Sequence, residues 1–172
     1  MQRTFSLLLL IIYFSSCTPS WRKLHNDSIL IDTHNDVIST VTMRGLNIDD
    51  DLTGRSHSDI ERFRKGGVDI QVFSIFSDER FGKDTAFKYA NIEIDSLYAI
   101  VKRNSDKLML VTNPQQLEAS VSRKMLGCML GLEGGHMIED NLDYLEALYQ
   151  RGVRYMTLTW NNSTPWATSA WD

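Results

Sequence analysis

Short apolar runs alternate along the chain with stretches whose apolar positions recur every third or fourth residue. The runs read as strands and the periodic stretches as helices with one covered face. The strands are expected at Ile29 to Asp32, Val68 to Ser77, Leu108 to Thr112, Met125 to Leu132 and Tyr155 to Trp160. The first reads as a short buried strand, and the mixed apolar character of the second suits a parallel strand covered on both faces. Val37 to Arg44 reads as a short helix before Gly45. Ser58-Asp59-Ile60-Glu61 has the spacing of a capping box, with Ser58 as the cap, and its helix stops at Gly66-Gly67. Phe87 to Lys107 places Phe87, Ala90, Ile94, Leu97 and Val101 on one helical face. Asn113-Pro114 opens a helix to about Lys124, and another runs from near Asn141 to Gln150. Thr18 to Arg22 reads as a tether, Lys23 to Ser28 as a lead-in, and Asn47 to Arg55 as a solvated loop. Asn161 to Asp172 shows no regular pattern. Strand and helix in alternation predict an α/β fold on a parallel sheet, either open and doubly wound or a (β/α)8 barrel cut short.

Composition narrows this only a little. The chain has 172 residues, 42% hydrophobic and 23% charged, a globular balance for one domain. A net charge of −4 without a basic stripe gives no support to a nucleic-acid partner. Two cysteines are no disulfide framework. Met1-Gln2-Arg3, the apolar run Leu7 to Phe14 and Ser15-Ser16-Cys17 form an export signal too short to span a bilayer. Ser-Ser before Cys resembles a bacterial lipobox, with Phe14 where leucine is usual. That predicts residues 1–16 as a lipoprotein signal peptide, lipidation of Cys17, and residues 17–28 as the anchored tether and lead-in. The protein would be exported and membrane-anchored, and an ordinary signal peptide is the alternative. Cys128, alone in an apolar run, reads as a small buried hydrophobe.

The chemistry gathers at strand ends. In parallel α/β folds, sites form at the carboxyl ends of the strands. His34 and Asp36, two apart where the first strand ends, project together, either as a metal-binding pair or as a carboxylate orienting a histidine or capping the next helix. Glu133 leaves the fourth strand before Gly134-Gly135-His136, as a metal ligand or as a partner for a cation. Gln71, inside the second strand, needs a hydrogen-bond partner. One imidazole and two carboxylates suit zinc or manganese, with a metal-activated water as nucleophile. Neither Gly-x-Gly-x-x-Gly nor Gly-x-Ser-x-Gly is present, so dinucleotide binding and a serine-hydrolase elbow have no support.

Five motifs in order resemble the membrane dipeptidase (renal dipeptidase) family of zinc metallopeptidases. They are Asp32-Thr33-His34-Asn35-Asp36, Gly66-Gly67-Val68 with Gln71, Leu132-Glu133-Gly134-Gly135-His136, Leu145-x-x-Leu148-Tyr149, and Gly152 to Thr159 with Thr164-Pro165-Trp166. The resemblance implies a TIM-like barrel with two zinc ions that hydrolyses dipeptides. His34 and Asp36 would bind one metal and Glu133 would bridge both, while His136 would support them. Trp160 stands where the family has a substrate-contacting histidine, so it would stack on substrate or fill the barrel mouth. The family's two later histidine ligands and late catalytic aspartate have no counterpart here. The resemblance therefore implies that residues 29–172 are the N-terminal part of a barrel, truncated after about five strands and inactive alone. The other readings are hydrolysis of another amide, such as an N-acyl amino acid, and a surface-binding lipoprotein.

Overall fold

The computed structural model of the chain describes residues 20–171, so the leader and Cys17 lie outside the described residues. Five parallel strands form one sheet: β1 (Ile31–Asn35), β2 (Ile70–Phe76), β3 (Leu108–Leu110), β4 (Leu126–Glu133) and β5 (Val153–Met156). β2 lies between β1 and β4 and is buried from Ile70 to Ile75, as a central strand of a parallel sheet must be. β1 is an edge strand, and Ile31 is 45% exposed, so the buried first strand expected from its apolar run is corrected.

The far side of β4 is shared. Leu126–Cys128 pair with β3, and Leu130–Leu132 pair with β5 across a register irregularity at Leu130/Gly131. β3 therefore contributes only to the amino-terminal half of the sheet, and the carboxyl edge is built by β1, β2, β4 and β5. Gly131 makes this junction possible, because a Cβ there would lie 2.2 Å from the Tyr155 ring.

Helices α1 (Trp21–Asp27), α2 (Val37–Arg44), α3 (Ile60–Lys65), α4 (Ala86–Arg103), α5 (Pro114–Ser122) and α6 (Leu142–Gln150) connect and cover the strands. α4 buries Ala86, Ala90, Glu93, Ile94, Leu97 and Ile100, the face its periodicity predicts, with a polar member the apolar count passes over. With Phe73, Ile75, Leu130 and Leu132 these residues form the core, where each fully buried large aliphatic side chain contributes about 1.5–3 kcal/mol. Asn113 and Asn141 cap α5 and α6 through Gln116 N–H and Asp143 N–H.

Four local expectations are corrected. The lead-in is helical over α1, capped by Ser20 and bridged by Lys23–Asp27 one turn apart. The cap of α3 is Asp59, which accepts from Arg62 N–H, while the Ser58 hydroxyl takes Asn35 Nδ2–H at 3.2 Å. The loop from Asn47 to Arg55 is anchored rather than freely solvated, with Ile48 and Leu52 at 1% and 0% exposure and Asp49 paired with Arg103. The fifth strand runs from Val153 to Met156, and Thr157 to Trp160 continue past the sheet as irregular chain.

Candidate metal centre

β1 and β4 deliver three donors to one point at the carboxyl edge. His34 Nε2 is 3.1 Å from Asp36 Oδ1 and 3.4 Å from Glu133 Oε2, and one donor atom from each residue lies within 4.8 Å of the others. Asp36 occupies the N-cap position of α2 but makes no capping bond, and Asn35 Oδ1 accepts from the Val37 N–H of the first turn. The uncapped Asp36 carboxylate faces His34 instead. Glu133 is opposite Phe76 in the β2–β4 register, and its Oε2 accepts from the Ser74 hydroxyl at 3.1 Å.

The tautomer of His34 follows from its other neighbour. Tyr155 O–H donates to Thr33 O at 3.1 Å, and the same oxygen is 3.3 Å from His34 Nδ1. With its hydrogen committed to Thr33, the phenol can only accept from Nδ1–H. In neutral His34, Nε2 then presents a lone pair to two carboxylate oxygens. Three acceptors directed at one another are stable only around a proton or a cation, and one nitrogen with two oxygens suits a divalent metal. A hydrogen-bonded Nδ1–H is also the usual brace of a metal-ligating histidine. Burial holds the Tyr155 hydroxyl above its ordinary pKa, reinforced by Glu133, Asp36 and Asp32, so the phenol stays neutral.

The turn after Glu133 is shaped by its glycines. Gly134 has φ +108°, and a Cβ on it would lie 2.3 Å from the His136 ring; one on Gly135 would lie 2.5 Å from Leu158 O and from the Trp166 indole. His136 is not drawn into the cluster. Its Nε2 lies 2.9 Å from Ser77 O, bracing the end of β2, and its buried Nδ1 has no partner among the described residues. Trp160 packs on Phe76, ring centroids 4.9 Å apart, beside this turn. Gln71 Nε2–H donates to Val72 O at 3.0 Å and, more loosely, to Asp32 O at 3.3 Å, so it braces β1 against β2 away from the donors. Cys128 is fully buried, and desolvation pushes its thiol up to about 12, as befits a packing residue.

Sequence reasoning missed Tyr155 and Ser74 as partners of the cluster. Ser74, a buried hydroxyl in an apolar strand, carried the same signal as Gln71. Tyr155 carried none, because its contact with His34 spans 121 positions.

A parallel sheet with nitrogen and oxygen donors converging at its carboxyl edge is the arrangement of a metal-dependent hydrolase. The sequence model of the membrane dipeptidase family (peptidase family M19) matches residues 19–172, and the chain belongs to that family. It is 35% identical to Dipeptidase 3 of Homo sapiens over 145 residues, covering 82% of this chain and 29% of that protein. Two solved structures share the fold. The probable dipeptidase PvdM of Pseudomonas aeruginosa has a TM-score of 0.68 and 17% identity, over 81% of this chain and 36% of that one. A metallopeptidase of Rhodobacter sphaeroides, liganded with a phosphinate mimic of the dipeptide L-Ala-D-Ala, has a TM-score of 0.64 and 14% identity, over 77% and 46%. The sheet described above is thus part of a TIM-like barrel.

Proposed function

We propose that His34, Asp36 and Glu133 bind zinc and that the site hydrolyses dipeptides or similar small amides. Because this chain spans 29% of the human relative's length, the activity is proposed for a protein of the family's full length. The observation that carries the reading is the convergence of His34 Nε2 with one oxygen each of Asp36 and Glu133. Zinc held there would supply an activated water and a Lewis acid for the scissile carbonyl. Tyr155 holds His34 in the ligating tautomer. Ser74 orients the Glu133 oxygen that faces His34, and the same carboxylate would be the residue to hold a second ion. Trp160, on Phe76 at the mouth, offers an apolar face to substrate.

Zinc titration of the metal-free full chain by calorimetry tests this. Wild type is expected to bind, and His34→Ala and Glu133→Ala to lose binding. Tyr155→Phe should weaken it by about tenfold, the usual loss when a ligand's outer partner is removed. Unchanged affinity in both alanine variants would sink the assignment.

The membrane reading rests on the leader alone. Among the described residues no helix is long and apolar enough to cross a bilayer. We propose lipidation at Cys17, so that the wild type partitions into detergent and Cys17→Ser into the aqueous phase; identical partitioning of the two would refute it.

A further inference from the structure

A cavity of about 650 Å³ opens directly beside His34 and Asp36, walled by α2, the loop through Arg55 and His57, and the start of α3. That volume suits a small organic ligand. Its charge is lopsided. Arg44, Arg55 and Arg62 line it with His57, against the single carboxylate of Asp36, which faces His34. Arg62 is spent on structure, donating Nε–H to Asp59 at 2.7 Å and a second N–H to Ser56 O at 2.9 Å. Arg44 makes one long contact, 3.4 Å to Arg55 O. The Arg55 guanidinium and the His57 imidazole have no partner among the described residues. Nearby acids are engaged elsewhere: Asp49 with Arg103, Asp51 with Thr53 N–H, and Asp59 with Arg62.

We propose that this cavity is a carboxylate subsite, in which Arg44 and Arg55 bind an anionic group of the substrate whose amide lies at the metal centre. The word substrate rests on the reading of the preceding section; the binding of a carboxylate does not. Guanidinium groups suit the task because they remain charged and can meet both oxygens of a carboxylate. Dipeptides offer two sources of that group, the terminal α-carboxylate and an acidic side chain.

Binding of Ala-Asp, Ala-Asn and Ala-Asn amide to the metal-free full chain separates them, followed by calorimetry at low salt. Loss of the recognised carboxylate should weaken binding about tenfold, as for one charge-assisted hydrogen-bonded pair. A step between Ala-Asp and Ala-Asn assigns the side chain, and a step between Ala-Asn and its amide assigns the α-carboxylate. The double variant Arg44→Gln with Arg55→Gln should abolish the step, and added salt should shrink it. Arg55→Lys, which keeps the charge and loses the fork, should retain part of it. Both arginines are exposed, so circular dichroism should show the double variant folded. The step is read in wild type without metal, so it stands or falls independently of zinc binding, which distinguishes failure of the subsite from failure of the metal centre. A series with no step, or a step that survives in the double variant, overturns the proposal.

Discussion

Asp59 and Glu93 are both shielded from solvent, at 2% and 0% exposure, in two regions that flank the candidate site, and Glu93 lies much the deeper. Their carboxyl groups nevertheless differ in charge. Burial alone would raise the pKa of Asp59, but Arg62 N–H at 2.9 Å, the Arg62 guanidinium at 2.7 Å and Leu52 N–H at 3.1 Å hold it below the usual range. Glu93 receives one bond, from Phe76 N–H at 2.8 Å, and its second oxygen has no partner among the described residues. Desolvation therefore dominates and pushes it up to about 8, with Asp36 adding a little. Depth and partners act together: Glu93 is the more deeply enclosed and has one donor, whereas Asp59 has three donors and the charge of Arg62 beside it. Each group supports the site in its own form. Charged Asp59 ties α3 to the loop that walls the cavity. Neutral Glu93 tethers the end of β2, whose Phe76 is register partner to Glu133.

The largest expected effect is in the pH dependence of stability. Glu93 is protonated in the folded chain up to about pH 8, whereas an unfolded glutamate releases its proton near its ordinary value. Between those limits the folded state holds the extra proton, so stability falls as pH rises, by roughly 1.4 kcal/mol per unit from this group. Glu93→Gln removes the titration while keeping the shape and an acceptor for Phe76 N–H. Chemical denaturation at pH 5, 6.5 and 8 should show the variant gaining on wild type by several kcal/mol across the series. Parallel profiles would mean that Glu93 is ionised like Asp59, and the contrast between the two regions would collapse.

Much of the site was legible in the chain. A His-x-Asp pair where a strand ends marks His34 and Asp36, although Asp36 reaches His34 from the N-cap of α2 and not by strand alternation, and a carboxylate leaving an apolar run before two glycines marks Glu133. What escaped depends on neighbours distant in sequence. Tyr155 reaches His34 from a strand that pairs with β4 only from Leu130 onward, and no local pattern reports that register. The exposure of β1 follows from its place at the sheet edge, and an apolar run reads the same at an edge as at the centre. Ser58 and Asp59 are adjacent and both are good caps, so the choice fell to tertiary contacts: Asp59 can also meet Leu52 N–H and Arg62, while Ser58 is drawn to Asn35. Glu93 sits on the buried face of α4, where the apolar periodicity counts its neighbours and not itself.

The smaller effect comes from removing Asp59. Asp59→Ala deletes the cap of α3, worth about 1 kcal/mol, and leaves the buried Leu52 N–H without an acceptor, about 1–3 kcal/mol more. A total near 3 kcal/mol is expected at pH 7 from urea denaturation. Arg62 moderates the loss, since its side chain is 31% exposed and water can take over part of its charge. The sign with pH is opposite to that of Glu93. A carboxylate held below its ordinary pKa stabilises the fold above that value, and the contribution fades as the solution is acidified through the folded pKa. The gap between wild type and Asp59→Ala should therefore narrow below about pH 4. Asp59→Asn keeps one oxygen for capping but sets an N–H₂ group against a donor, so it should fall between the two. A gap independent of pH would mean that Asp59 stabilises α3 by its shape as a cap and not by its charge.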